Sequence, residues 1–533
     1  MRRQWEKAVL AAGLVGYLRD PLAGDRAADE LRGRLQDREG RFLRLARESI
    51  FGDPRSPHGW LLRAAGWDAA RLERAVSADG LEATLDVLRR QEVWTSLAEF
   101  TCREPIRRGS QAIAPDGSDF DTPRLRGRLI RGATSGTWSR RPSRVAYDWD
   151  LFAEEAALEC LLFESHGILD APWALWLPGP PSVSGIHNLL VHLRFRRPPE
   201  RWFSHLPADW QSAAALRYIR ATARGFGMRV PLPEPTAFEE AESVARWLAS
   251  ARDRAGRAVL KAFASSATRV AEAARQLRID LRGCLIFAGG ESLTPARIAH
   301  IRATGATVFA RYVATETGWI ASACPFGDSP DAMHVFTDRL AVLTAPADSA
   351  VDDDAPLLFT TLSAGAGKIL LNTDLGDSGR LRRRPCGCPM GHAGLNLQLS
   401  GVHSQAKLSI EGITVAVAVI TRALDRVVAA AGGPPDSYQL RQEEDGAGAR
   451  RLVVRLGPAL TGVDDGALLR GFFAELPRHG PDAKLAARFW RESSAIAVRR
   501  GSPTLSDAHK MRPLTVSGPD HSPRFDVARG RLR

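Results

Sequence analysis

At 533 residues the chain is too long for a single compact core and calls for two or three domains. Hydrophobic residues at 44% and charged residues at 25% are ordinary globular proportions, which excludes disordered and fibrous classes. The net charge of +12 comes from scattered arginines and reads as a solvated basic surface, with attraction for nucleotide or coenzyme phosphates as the sharper alternative. There is no motif for nucleic acid.

In chain order, Arg2, Arg3 and Lys7 flank an apolar stretch from Ala8 to Leu18. Glu6 lies among these charges and no small-x-small cleavage pattern follows, so an amphipathic helix is expected there and not a signal peptide. From Trp5 to about Arg108 apolar residues recur at three- and four-residue spacing, notably in Arg41–Ile50 and Leu81–Leu97, which predicts helices. From about Leu125 short apolar runs alternate with helical patterns. Ala171–Leu177, Cys284–Ala288 and Thr307–Tyr312 read as buried strands, and Ala267–Leu277 and Pro295–Ala303 as helices. Strand, helix, strand in this order predicts an α/β fold with a mainly parallel sheet.

After Met333 strands dominate: Met333–Thr337, Leu340–Thr344, Leu357–Leu362 and Lys368–Thr373. Beyond about Gly412 a small α+β unit is expected. It has a helix over Val417–Ala431, strands near Tyr438–Arg441 and Arg451–Leu456, a helix over Ala467–Leu476 and a strand near Ala495–Arg499. The tail after Arg512 is polar and reads as frayed. No apolar run approaches the ~20 residues of a membrane helix. Six cysteines at this length make no disulfide framework and fit a reducing, cytoplasmic setting.

Five segments carry chemistry. Thr134-Ser135-Gly136-Thr137 is a small, hydroxyl-rich loop of the kind that wraps phosphate oxygens, although such a string is more often a plain turn. Gly289-Gly290-Glu291 and Tyr312-Val313-Ala314-Thr315-Glu316 follow predicted strands, where a sheet's carboxyl edge presents ligand sites. Asp374-Leu375-Gly376-Asp377 ends a later strand, and Lys510 lies near the C-terminus. Taken singly, Asp377 is a turn cap, Glu316 a surface carboxylate and Lys510 a solvated lysine.

In this order and at these separations the segments resemble the adenylate-forming superfamily of acyl-CoA synthetases, luciferases and peptide-synthetase adenylation domains, and most of all its phenylacetate–CoA ligase branch. The resemblance runs from about Arg41 to Arg512 and is strongest between Gly283 and Gly391. It implies ATP-dependent activation of a small carboxylic acid, with Mg²⁺, and transfer of the acyl group to CoA or a carrier-protein thiol. An amine acceptor and a degenerate, non-catalytic binding protein are the alternatives. A homodimer is the assembly common among such relatives.

Residue by residue, the resemblance gives Thr134, Ser135, Gly136 and Thr137 the phosphate loop. Gly289, Gly290 and Glu291 line the adenine pocket, and Tyr312 packs on the base. Thr315 contacts the α-phosphate, Glu316 holds Mg²⁺, Asp377 accepts both ribose hydroxyls, and Lys510 neutralises charge between the acid and the α-phosphate. Trp173, Trp176 and His187 fall where the family builds its acid pocket, with core packing as the plainer reading of two of them. The expected divisions are a helical region over 1–124, a nucleotide- and acid-binding core over 125–400, a hinge over 401–412 and a lid over 413–533.

Cys324, His334, Cys386 and Cys388 supply three sulfurs and an imidazole, a tetrahedral set for a structural Zn²⁺, which the implied fold would bring together. Buried free thiols and a surface histidine are the alternative. Three departures from the family pattern stand out. Val313 replaces a glycine, Trp138 and Ser139 alter the phosphate loop, and Gly401–Gln405 lacks the hinge arginine and both hinge acids.

Overall fold

The structure, a computed structural model, describes residues 13–125, 131–133, 144–180, 182–205, 210–345, 354–410, 413–444, 450–493, 495–505, 510–516, 525–526 and 531–532. Two compact units emerge, one running from Met1 to Ser404 and the other comprising Gln405–Ser506 and Lys510–Arg533.

The first unit opens with helices, as the spacing predicts: α1 (Gly24–Gln36), α2 (Arg38–Leu45), α3 (Pro57–Ala64), α4 (Ala69–Asp79) and α5 (Leu81–Arg90). Local sequence sets two of their starts. Ser56 accepts the Gly59 N–H ahead of α3, which begins on proline, and Asp68 accepts the Arg71 N–H ahead of α4. Their apolar stripes, including Leu31, Phe42, Leu62 and Leu85, join the core beneath one face of the main sheet.

Among the described residues that sheet has twelve strands: β1 (Trp173–Trp176), β2 (Arg201–Ser204), β3 (Pro233–Pro235), β4 (Ala258–Phe263), β5 (Cys284–Gly289), β6 (Thr307–Ala314), β7 (Gly318–Ala323), β8 (Met333–Val335), β9 (Leu340–Thr344), β10 (Ala355–Thr361), β11 (Thr373–Arg383) and β12 (Leu397–Ser404). Their order is β9-β10-β11-β12-β8-β7-β6-β5-β4-β1-β2-β3. From β3 through β6 every pair is parallel, and from β6 to β9 every pair is antiparallel.

Helices α6 (Trp149–Ser165) and α7 (Val183–Arg194) cover one face, against Trp173, Leu175, Phe263 and Phe287. Helices α8 (Trp210–Gly225), α9 (Ala241–Ala255), α10 (Ala264–Gln276) and α11 (Pro295–Arg302) follow, and α9 to α11 cover the other face against Ala174, Trp176, Leu260 and Ile286. Covered on both sides, β1 and β4 are buried at every position; β1 reads as an unbroken apolar run, whereas β4 is interrupted by the buried Lys261. The fold is α/β, as expected.

One strand is displaced. The run Lys368–Thr373 predicts a strand, but β11 starts at Thr373 and continues through polar residues to Arg383. Ile369, Leu370 and Leu371 form a buried connection instead, in which the Leu370 N–H donates to the Thr361 hydroxyl at 3.1 Å and Asn372 takes a left-handed φ of 46°. Apolar patterning records burial, and a buried connection looks the same as a strand.

The second unit has its own core, around Ile420, Leu440, Val454, Phe472 and Trp490. It contains α12 (Val417–Ala430), β13 (Tyr438–Glu444), β14 (Arg450–Leu456), α13 (Asp465–Glu475), α14 (Pro481–Glu492), β15 (Ile496–Arg500) and β16 (Leu514–Val516), with sheet order β15-β14-β13-β16. The sequence predicts neither α14 nor β16. Among the described residues no helix is long and apolar enough to cross a membrane.

Candidate functional site

The carboxyl edge of the parallel strands is where the chain leaves the sheet. At the end of β5 the backbone of Gly289 approaches Arg311 so closely that a Cβ would lie 3.0 Å from the Arg311 carbonyl oxygen. Gly290 then takes φ +73°. The Glu291 carboxylate that follows accepts the Ser265 N–H and hydroxyl, each at 2.9 Å, and lies 3.4 Å from Arg297. It therefore ties the β5–α11 loop to the start of α10.

Next along the sheet, β6 carries a bulge at Tyr312/Val313 and rises out of the core over Tyr312–Glu316. The tight turn back into β7 is closed by Gly318 at φ +82°, where a Cβ would strike the Glu155 carboxylate at 2.2 Å. The Tyr147 hydroxyl donates to the Thr315 carbonyl at 3.3 Å, and the Glu316 carbonyl accepts the Lys368 N–H at 3.1 Å. The turn is thus held from two sides.

Strand β11 delivers Asp377 to the same place. The Tyr312 hydroxyl donates to Asp377 Oδ2 at 2.6 Å, a strong charge-assisted bond. Burial pushes the Asp377 carboxyl up to about 6. Tyr312 works against that shift, and the negative charges of Asp374 and Glu316 add to it. Tyr312, Glu316, Asp374 and Asp377 therefore share one electrostatic neighbourhood, rich in negative charge.

Gly376 sits beside Asp377 at φ +85°, with Leu97 Cδ2 2.7 Å from where a Cβ would stand. Gly376→Ala is expected to cost about 1–3 kcal/mol, chiefly from the left-handed backbone. Thermal unfolding checks this; an unchanged midpoint would show that the backbone relaxes freely.

Trp173, Trp176 and His187 do not line one surface. Trp173 and Trp176 leave β1 on opposite faces of the sheet. The Trp173 indole donates to the Arg197 carbonyl at 3.0 Å and lies against His192, 3.9 Å between ring centroids. Trp176 lies near His205, at 5.0 Å. His187 bonds the Glu155 carboxylate and stacks on Trp319 at 5.5 Å, on the side of the sheet that faces Tyr147.

Below the strand ends lies a buried charge cluster that the sequence reading missed. Glu155 accepts the Trp319 N–H at 2.8 Å and Arg339 at 2.7 Å. Burial acts to raise its carboxyl, but His187 and Arg339 outweigh it and hold it down to about 2. One turn on, Glu159 takes Lys261 at 2.5 Å, His192 at 3.1 Å and Arg311 at 2.8 Å. Burial and Arg311 pull Lys261 down to about 7 against the pull of Glu159. Arg311 covers the Trp319 ring at 4.1 Å. The available signal was a pair of glutamates four apart in the apolar text of α6.

The Cys/His set comes together. Cys324 follows β7, His334 sits on β8, and Cys386 and Cys388 lie in the connection from β11 to β12. Their four ligand atoms are all within 4.8 Å of one another, with Cys324 Sγ 3.6 Å from Cys386 Sγ and Cys388 Sγ 3.3 Å from His334 Nε2. Tetrahedral Zn²⁺ with bonds of about 2.3 Å places sulfurs about 3.8 Å apart, so the set fits the ion. His334 Nδ1 donates to the Leu395 carbonyl at 2.7 Å, which leaves the Nε2 lone pair facing the sulfurs.

Thr134, Ser135, Gly136 and Thr137 lie outside the described residues, and Lys510 belongs to the second unit. Gly401–Ser404, the start of the stretch expected to be a hinge, forms the end of β12, where Ser404 pairs with Asp377.

No family model matches the chain, and no curated protein matches its sequence. Among solved structures it is similar to the anthranilate CoA ligase AuaEII in complex with anthranoyl-AMP, with TM-score 0.47 and 12% identity over 80% of this chain and 70% of that one. It is similar to McyG A-PCP complexed with phenylalanyl-adenylate, with TM-score 0.43 and 10% identity over 81% of this chain and 63% of that one. For a variant of E. coli MenE with bound OSB-AMS the TM-score is 0.41 and the identity 13%, over 76% of this chain and 70% of that one.

Proposed function

We propose that this chain activates a carboxylic acid with ATP, releasing pyrophosphate, and passes the acyl group to the thiol of CoA or a carrier protein in the manner of the phenylacetate–CoA ligase branch. The observation that carries this reading is the hydrogen bond from Tyr312 to Asp377 at the sheet's edge, beside Glu316. A carboxylate has two oxygens that accept, and the two hydroxyls of a ribose are donors that such a pair of oxygens can take together.

Asp377 then accepts the ribose hydroxyls, Tyr312 packs on the base while holding Asp377 in place, and Gly289 and Gly290 let the backbone lie close to adenine. Thr315 and the loop Thr134–Thr137 donate to phosphate oxygens. Mg²⁺ held by Glu316 supplies positive charge to the polyphosphate. Lys510 keeps the role the resemblance gives it, a cation offered to the acid and the α-phosphate. His187 is the candidate wall of the acid pocket, with Trp173 on the same side of the sheet. Positioning and charge, without a general base, suffice for such a substitution at phosphorus.

ATP–pyrophosphate exchange against a panel of carboxylic acids tests the proposal. Exchange with at least one acid is expected, followed by thioester formation when CoA or a holo-carrier is added. A chain that binds ATP and exchanges with none belongs to the second reading, a binding protein without turnover, which the missing hinge acids favour.

For the Cys/His set we propose one structural Zn²⁺ per chain, with four protein ligands and no open position. Removing it with a chelator is expected to cost about 4 kcal/mol where free zinc had stood a thousandfold above its dissociation constant. Metal analysis with thermal unfolding reads this. A melt indifferent to the chelator contradicts it.

A further inference from the structure

The cluster of three sulfurs also carries an inference that rests on the zinc reading. We propose that Cys324 and Cys386 close into a disulfide under peroxide and release the metal, so that the cluster is a reversible, oxidation-sensitive clamp. The two sulfurs stand 3.6 Å apart, about 1.6 Å beyond a disulfide bond of about 2.05 Å. Cys388 also lies beside Cys324, but it is held in addition by His334 Nε2 at 3.3 Å and by the Gly391 N–H, which it accepts at 3.3 Å.

Access singles out the first sulfur to react. Cys386 is 8% exposed, against 1% for Cys324 and 0% for Cys388. Competition from the rest of the chain is weak. Burial pushes the Cys102 and Cys284 thiols up to about 11 and the Cys160 thiol to about 12, so all three stay protonated and slow.

The chemistry balances with hydrogen peroxide as oxidant. The Cys386 thiolate attacks one peroxide oxygen, forming an S–O bond and breaking the O–O bond, and the hydroxide released takes a proton to become water. The Cys324 thiolate then attacks the sulfenic sulfur, forming the S–S bond and expelling the second oxygen as hydroxide, which also leaves as water. Two electrons pass from the sulfurs to peroxide. Zn²⁺, left with one thiolate and one imidazole, departs unreduced.

The clamp joins the end of β7, the middle of β8 and the β11–β12 connection. Strand β11 carries Asp377, and the turn into β7 carries Thr315 and Glu316. Oxidation therefore loosens the frame on which the proposed nucleotide residues stand.

The test uses the full chain, reduced and zinc-loaded, treated with hydrogen peroxide in the presence of a chromogenic chelator. One zinc is expected to appear per chain as two thiols are lost. Peptide mass analysis should find Cys324 linked to Cys386 at two mass units below the free pair, and dithiothreitol with zinc should restore the starting state. Cys102→Ser should behave as the parent, and Cys386→Ser should lose the linkage. If the reduced chain holds no zinc, the metal reading falls, whatever the thiols do. If zinc is held and stays bound with all thiols intact under peroxide that oxidises free cysteine, the clamp is overturned and the metal reading stands.

Discussion

Glu159→Ala is expected to destabilise the first unit by about 3–5 kcal/mol, the range for removing one member of a buried ion pair. Glu159 is 1% exposed and is the shared acceptor for Lys261 and Arg311, both buried. Deleting it strands two cations in the core, next to the Trp319 ring. Lys261→Met should behave differently, since Glu159 keeps Arg311 and the core is relieved of an ammonium that burial already pulls down to about 7. Its expected cost is below about 1 kcal/mol, or a gain, as for other buried ions replaced by apolar groups of similar volume. Urea unfolding followed by tryptophan fluorescence separates the two variants. Equal losses would show that the charges are interchangeable packing.

Asp377→Asn is expected to stabilise the free protein at neutral pH while weakening nucleotide binding about 10- to 100-fold, the worth of hydrogen bonds to a charged acceptor. The sign follows from proton linkage. An unfolded aspartate titrates near 3.9 and the folded one at about 6, so the folded state holds the extra proton between those values. Stability from this group is present in full below about 4 and declines as pH rises to about 6. Above that the carboxylate costs on the order of 2–3 kcal/mol. Asparagine removes the cost. Nucleotide binding runs the other way, because ribose hydroxyls favour the carboxylate, so affinity should climb as pH passes 6. Melting curves from pH 4 to 8, paired with titration calorimetry, check both trends. A pH-independent difference between Asp377 and its asparagine variant would contradict the linkage.

Much of the architecture was legible because burial and element type coincide. Cys284–Gly289 and Thr307–Ala314 are apolar runs bounded by turns, and Val417–Ala430 keeps an apolar stripe at helical spacing. Strand β11 was not legible. Its polar residues, from Asp374 through Arg383, face site and solvent more than core, so neither alternation nor an apolar run marks it. Helix α14 begins on a Gly480-Pro481 pair that reads as a turn, although proline in a first helical turn is favourable.

The site divides in the same way. Cys324 and His334 lie in one stretch of the chain and Cys386 and Cys388 in another, and the neighbouring strands β7, β8, β11 and β12 bring the two pairs together. Tyr312 and Asp377 meet for a similar reason, across strands that no local pattern relates. The Glu155 and Glu159 cluster escaped notice because carboxylates read as surface until their partners, Arg311, Lys261 and Arg339, are known to be buried as well.

Titration calorimetry of the full chain with ATP and with 2′,3′-dideoxy-ATP, each in magnesium, puts the proposed ribose contact under direct test. Asp377 gripping both hydroxyls predicts that the dideoxy nucleotide binds at least about tenfold more weakly to the parent chain, and that Asp377→Asn abolishes the difference. Equal binding of the two nucleotides by the parent chain would contradict the assignment of Asp377 and the nucleotide site built on it.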